Sequence, residues 1–458
     1  MNLVLVGIGV YVVLQLVIGF LASRRIKSET DYLIAGRRIG LGLATFSMFA
    51  TWFGAETCIG AAGMFYEDGL AGGVSDPFGY ALALFIVGWF FARPLWKRGL
   101  TTLADLFHQR YGPTAERFAA LIMVPTSILW AAAQIRAFGV VLHAATGIEI
   151  TVAVLAATGV VIIYTCTGGL LADVVTDFIQ GVAIILGLIF LGFVLWTSAD
   201  VDLRGAWTAV EPERLDLFGG TGSFLEKLDI WLTIILGSVV AQEIIARVLA
   251  TRSPDVAVRS THLGGGLYLL VGLIPAGLGL LGPTLLPGLE SPEAFLPKLA
   301  EQHLSPVIFV LFTGAIVSAI LSTVDSTLLA ASSLASHNLI VSLRPTMSDR
   351  QRLMTARIGV AIFGLIACVF ALGAETIFEL VQQANGVGSA GIFVLMLFGL
   401  YGGGFGGARA AVATLTVGLG TWFWGTYVGE WSVTYLISLA AAGLTFVTFA
   451  MWERRTAA

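Results

Sequence analysis

A chain of 458 residues that is 57% hydrophobic and only 12% charged carries too much apolar surface for a soluble globular domain. Its formal charge of −4 gives no sign of a nucleic-acid partner, and its three cysteines and five histidines lack the spacing of a metal site or redox pair. The sequence reads as an all-α polytopic membrane protein, because apolar runs of about 20 residues recur along it and no period-2 alternation suggests a barrel.

Hydropathy predicts thirteen transmembrane helices, at about 2–22, 40–64, 77–95, 118–142, 150–167, 174–197, 225–246, 262–286, 305–341, 356–373, 376–399, 410–428 and 432–452. The first lacks a basic leader and a cleavage site, and Arg24, Arg25 and Lys27 follow it. It is expected to be a retained helix with its N-terminus outside. An odd number of spans then places the C-terminus, with Arg454 and Arg455, in the cytoplasm. Loops on the expected inner side hold 20 Lys or Arg residues, Arg247, Arg252 and Arg259 among them, against four on the outer side. This asymmetry predicts a multi-pass protein of the inner (plasma) membrane, surrounded by lipid bilayer, with 1–458 as one transmembrane domain. The outer loop at about 198–224 is expected to form short amphipathic helices over the mouth. Gly402–Gly407 satisfies a GxGxxG pattern, but it follows no strand and reads as a flexible inner loop.

Polar residues within the spans carry the functional signal. The second span is interrupted over Ala50-Thr51-Trp52-Phe53-Gly54-Ala55-Glu56-Thr57-Cys58-Ile59-Gly60, a polar stretch that bears glycine at mid-membrane depth. A helix that unwinds there frees carbonyl oxygens, which a membrane tolerates only where they line a site; the other reading is a kinked helix with Glu56 paired to a neighbour. In the fourth span Trp130 and Gln134 share a face, and Arg136 needs a partner, for which Glu56, Asp76 or a solute carboxylate would serve. Trp52, Tyr80 and Trp130 are aromatic candidates for a solute wall. In the sixth span Asp173, Thr176, Asp177 and Gln180 share a face, with Asp173 expected as a solvated cap and Asp177 as a deeper ligand. The ninth span places Ser318, Ser322, Asp325, Ser326, Leu329 and Ser333 on one stripe. An oxygen-lined stripe suits a small hard cation; alternatively, the hydroxyls bond to carbonyls one turn back. A carboxylate at mid-membrane costs about 2.5 to 3.5 kcal/mol, which favours a use for Asp325.

Tyr32-Leu-Ile-Ala-Gly-Arg-Arg38, Gly168-Gly-Leu through Thr176-Asp177 and Gln180, and Ser318-Ala319 through Ser322-Thr323-Val-Asp325-Ser326 occur in an order and spacing that resembles the sodium/solute symporter family over nearly the whole chain. Within it, Ala50-Thr-Trp52, Pro77-Phe-Gly-Tyr80, Trp130-Ala-Ala-Ala and Arg247-Val-Leu resemble the high-affinity choline transporter branch. The resemblance implies a five-plus-five inverted-repeat (LeuT-like) core. Its halves are 40–197 and 225–399, with one extra N-terminal helix and two C-terminal accessory helices over 400–458. It implies no enzyme but a symporter that imports a small organic solute with sodium by alternating access. An amine or amino acid is favoured; a sugar or organic anion, or a solute sensor of the same fold, are the alternatives. No signalling domain follows Arg454-Arg455, which weighs against the sensor.

Carried over by position, the main Na+ site falls on the backbone oxygens of Ala50, Phe53 and Ala319 and the hydroxyls of Ser322 and Thr323. A possible second Na+ site falls on Asp177, Ser322, Asp325 and Ser326, where Asp325 replaces a hydroxyl and either strengthens the site or titrates a proton. Trp52, Glu56, Thr57, Tyr80, Trp130 and Gln134 are the expected solute contacts. Two departures stand out: Ala241 where the branch carries a cage Trp, and Glu56 where it carries a small residue. Glu56 fits the acidic contact of sugar-transporting members or an amine. The resemblance leaves the oligomeric state open.

Overall fold

The computed structural model describes residues 3–24, 26–219, 222–289, 291–374 and 377–457. Asn2 of the first predicted span, Arg25 of the inner basic cluster, Gly220 and Thr221 of the outer loop, and Thr376 of the eleventh span lie outside the described residues. Among those residues regular structure is helical apart from one isolated bridge between Ile39 and Thr251. Lipid dictates this, since each helix closes its own backbone hydrogen bonds.

The helices used below are α1 (Leu3–Ser23), α2 (Leu41–Ala50), α3 (Ala62–Asp68), α4 (Tyr80–Ile86), α5 (Pro113–Thr146), α6 (Ile150–Thr197), α7 (Phe224–Val239) and α8 (Gln242–Ala250). They continue as α9 (Pro254–Leu285), α10 (Pro306–Ser333), α11 (Asp349–Gly373), α12 (Ile377–Gly386), α13 (Ser389–Tyr401), α14 (Ala408–Tyr427) and α15 (Thr434–Ala457). Among the described residues nine helical runs are long and apolar enough to cross a membrane. That count differs from the thirteen predicted spans partly because some runs contain more than one helix. The 48 residues of α6 would extend about 72 Å, more than twice a hydrocarbon core of about 30 Å. They are broken at Gly169 (φ 54°), where a Cβ would lie 2.5 Å from the Tyr32 ring. The run Glu56–Lys97 likewise leaves the helix at Gly69 (φ 65°) and again at Asp76 (φ −135°, ψ 125°).

α10 is the centre of the bundle. Every residue from Phe312 to Ser333 is buried, and the helix packs against both α5 and α6. A helix buried on every side has neighbours all round, which is why its hydroxyls face several of them and not one stripe. Around it three helical paths are interrupted. α2 stops at Ala50 and helical structure resumes from Ala55. α7 and α8 are separated by Val240 and Ala241, the latter extended (φ −66°, ψ 125°). α12 and α13 part at Val387 and Gly388 (φ 64°).

The long loop expected on the outer side does form short helices, Leu203–Thr208 and the 3-10 turn Pro212–Leu215. Arg214 from that turn donates to the carbonyls of Phe65, Tyr66 and Glu67 (2.8, 2.8 and 2.9 Å), closing the C-terminal end of α3.

Candidate ion and solute site

In an unbroken helix Gly54 N–H would donate to Ala50 O. Here it turns back to Trp52 O (2.8 Å), a bond spanning two residues, and Ala55 N–H donates to Gln134 Oε1 (3.3 Å). The Ala50 carbonyl is thereby released, and Ser322 Oγ from the middle of α10 lies 3.1 Å from it. The same hydroxyl also reaches Asp177 Oδ1, with one proton to share between two acceptors. Thr323 Oγ1 donates to Ala319 O (3.3 Å) and faces the break, since a Cβ on Gly54 would lie 2.6 Å from it. Phe53 is buried in the same break, its nitrogen held by Phe49 O (3.3 Å). The structure thus brings two hydroxyls of α10 to the break: Ser322 at the Ala50 carbonyl, and Thr323, bonded to Ala319 O, against Gly54. Oxygen ligands of this kind, at an unwound membrane helix, suit a hard monovalent cation.

One turn lower the arrangement departs from expectation. Arg247 was placed in an inner loop by its sequence position, but α8 carries it into the core at 2% exposure. Its Nη2 donates to Asp173 Oδ2 (2.7 Å), Asp177 Oδ2 (3.0 Å) and Ser326 Oγ (2.6 Å), and its Nε to Ser47 Oγ (2.8 Å). Asp173 is accordingly no solvated cap; it is fully buried. Two carboxylates one turn apart on α6 need a counter-charge once water is excluded, and a planar guanidinium with several donors serves both. Of the second-site residues, Asp177 and Ser326 meet at this guanidinium and Ser322 touches Asp177. Asp325 stands beside Thr165 and Asp173, and neither of its buried oxygens closes a hydrogen bond. Of the α10 stripe Ser322 and Ser326 bond to this cluster, whereas Ser333 donates within its own helix to Ala330 O (2.8 Å).

Above the break, three rings converge from three elements. Trp52 lies 5.4 Å from Tyr80 and 6.3 Å from Trp130, nearly parallel to it, and Tyr80 lies 5.7 Å from Trp130. Trp52 Nε1 donates to Glu243 Oε1 (3.2 Å) at the start of α8, and Asn385 Nδ2 to the Tyr80 hydroxyl (3.4 Å). Trp130, Ala241, Gln242, Glu243 and Asn385 line a narrow cavity of about 30 Å³, room for a water or two. The small side chain of Ala241 leaves part of that gap open.

Glu56 and Thr57 sit on a different side of the restarted helix. Thr57 Oγ1 donates to Asp76 Oδ2 (2.6 Å), as does the Tyr268 hydroxyl (2.8 Å). Glu56 and Asp76 line a separate cavity together with Glu293. Arg136 donates to Ala371 O (3.1 Å) and faces Glu293, whose carboxyl burial pushes up against the opposing pull of that guanidinium. Glu243, Arg247, Ser47, Asn385 and Tyr268 were not among the expected site residues. The pair Glu243 and Arg247, four residues apart at the end of a predicted span, was the signal available.

The model of the sodium:solute symporter family matches residues 32–449, and the chain belongs to that family. It is a membrane transporter, not an enzyme, and sodium is its coupling ion. Human high affinity choline transporter 1 is 30% identical over 404 residues, which cover 82% of this chain and 69% of that protein. The high-affinity proline transporter PutP of Bacillus subtilis is 27% identical over 374 residues, 78% of each chain. Among solved structures, a Na+-coupled sialic acid symporter in a substrate-bound outward-open state superposes with a TM-score of 0.85 over 98% of both chains at 19% identity. Mhp1 in an inward-facing conformation superposes with a TM-score of 0.63 over 92% of both at 14% identity.

Proposed function

We propose that this chain imports a small organic amine or amino acid together with sodium by alternating access. Its topology in this reading is thirteen crossings, with the N-terminus outside and the C-terminus cytoplasmic. The inverted repeats are 40–197 and 225–399, and 400–458 supplies two accessory helices. The observation that carries the reading is the approach of Ser322 Oγ to Ala50 O (3.1 Å), two residues before Trp52 of the aromatic trio. Ion seat and solute wall then share one short stretch of main chain. Choline and proline, the solutes named for two relatives, both carry a cationic nitrogen. Such a nitrogen gains about 0.5 to 2 kcal/mol from each aromatic face it meets, and Trp52, Tyr80 and Trp130 offer three.

In this mechanism sodium takes the backbone oxygens of Ala50, Phe53 and Ala319 and the hydroxyls of Ser322 and Thr323. It braces α2 against α10, and solute then seats against the aromatic rings, with Gln134 as a polar contact; Glu56 and Thr57, expected as contacts of the same seat, belong instead to the side of the cavity that Asp76 lines. Coupling requires that sodium bind the outward state better than the inward one, or it shifts no population. A second sodium ion would use Asp177, Ser322, Asp325 and Ser326, and Arg247 would have to withdraw from Asp177 and Ser326 to admit it. Each sodium moving inward down about 100 mV releases roughly 2.3 kcal/mol, enough for about a fortyfold solute gradient. Uptake of radiolabelled sodium into proteoliposomes, driven in turn by amines, amino acids, sugars and carboxylates, tests the reading. Stimulation by amines or amino acids is expected; stimulation by none of the four classes would remove the symporter assignment.

A further inference from the structure

We infer that the cavity beside Glu56 and Asp76 is a binding site for organic cations that holds an ammonium group before it reaches the aromatic trio. The direction of travel rests on the symporter reading above; the binding does not.

The cavity has a volume of about 410 Å³, within the usual range of small-molecule sites. Glu56 and Asp76 are 8% and 2% exposed, and Glu56 Oε1 and Asp76 Oδ1 have no hydrogen-bond partner. Thr57 and Tyr268 pin the other Asp76 oxygen at 2.6 and 2.8 Å, so Oδ1 is the one left to meet a ligand. Buried carboxylate oxygens are rarely left unpaired, because the lost hydration has to be replaced. Glu67 and Glu293 complete an acidic lining, and among the described residues that line the cavity none is basic. Arg136 faces Glu293, and Arg214 is committed to carbonyls at the end of α3. An anionic solute would be repelled here.

The remaining walls decide between a metal ion and an organic cation. Gly60, Ala61, Met64, Ile377 and Val381 are apolar, and the space is many times that of a dehydrated sodium ion. A compact ring of oxygens is what a metal ion would need, whereas an ammonium group with an apolar body fits acid on one side and hydrocarbon on the other. The Tyr80 side chain lies against the Glu56 carboxylate and also belongs to the aromatic trio. The cavity and the ring cluster are therefore neighbours across one residue.

The test uses the full chain in detergent with four probes: choline, ethanolamine, the uncharged isostere of choline with carbon in place of nitrogen, and a monocarboxylate. Binding is read by tryptophan fluorescence and thermal shift. The two cations are expected to bind and the isostere and carboxylate to bind at least about tenfold more weakly. Asp76→Asn keeps the acceptor that Thr57 and Tyr268 use and turns the unpaired oxygen into an amide donor. It should weaken cation binding roughly ten- to hundredfold and leave sodium-induced thermal stabilisation intact. Glu56→Gln is the second variant, with the same expectation, should Asp76→Asn misfold. Equal binding of the uncharged isostere, absence of cation binding, or unchanged cation affinity in the folded variants would overturn the inference. Failure of sodium uptake with binding retained would instead count against the symporter reading alone.

Discussion

Ser322 and Ala50 meet across the bundle: the hydroxyl of one lies 3.1 Å from the carbonyl oxygen of the other, at the point where α2 stops. The contact exists because Gly54 N–H has turned away to Trp52 O. Replacing either hydroxyl, as Ser322→Ala or Thr323→Ala, is expected to lower sodium affinity at least about tenfold while the protein still inserts. Sodium titration of solute uptake checks this. An unaltered sodium dependence in both variants would remove these residues from the ion seat.

Arg247 holds two buried carboxylates, so its removal is expected to be felt in stability before it is felt in transport. Arg247→Ala should destabilise the chain by about 3 to 5 kcal/mol, because Asp173 and Asp177 are left uncompensated. Lysine should not restore it, since a point charge cannot hold Ser47 and both acids together. Adding Asp173→Asn to Arg247→Ala should recover part of the loss, which a double-mutant cycle of unfolding midpoints would measure.

Gly54 has no room to grow. A Cβ there would lie 2.6 Å from Thr323 Oγ1 and 2.8 Å from Gln134 Oε1. Gly54→Ala is expected to cost about 1 to 3 kcal/mol by overpacking and to impair sodium-stimulated uptake beyond any loss of expression. Wild-type uptake per molecule inserted would contradict the tight approach of the break to α10.

Asp325 is buried with both oxygens unbonded, and its role separates from that of Ser322 by the shape of the sodium response. Asp325→Asn is expected to make that response less steep and to lower the number of ions moved per solute, leaving affinity at the Ala50–Ser322 seat in place. The ratio of labelled sodium to labelled solute taken up decides it. If neither steepness nor ratio changes, the acid is structural.

Much of this architecture was legible in the chain because lipid imposes a simple length rule on apolar helices. The interruption within Ala50–Gly60 was visible for the same reason, a Gly beside polar residues at mid-membrane depth, although the helix gives way only over 51–54. Arg247 was misread because hydropathy assigns a charge at a span end to the nearest loop, whereas α8 carries it inward to two acids on a distant helix. Asp173 was misread with it, since its only visible neighbour in sequence was the membrane boundary. These two pairings join residues 74 and 70 positions apart, and no local spacing announces them. The break at Val240–Ala241 escaped notice as well, because neither residue is glycine or proline.

The cavity beside Trp130 has room for a water or two, so any larger guest must shift the side chains that line it, Trp130 among them, and Trp130 lies nearly parallel to Trp52. Trp52 is two residues from Ala50, so a push on Trp130 that is passed to Trp52 bears on the carbonyl that Ser322 meets. A guest small enough for the cavity as it stands would leave both rings, and with them the Ala50 carbonyl, where they are. In the symporter reading, girth would then be a condition for coupling as well as for binding.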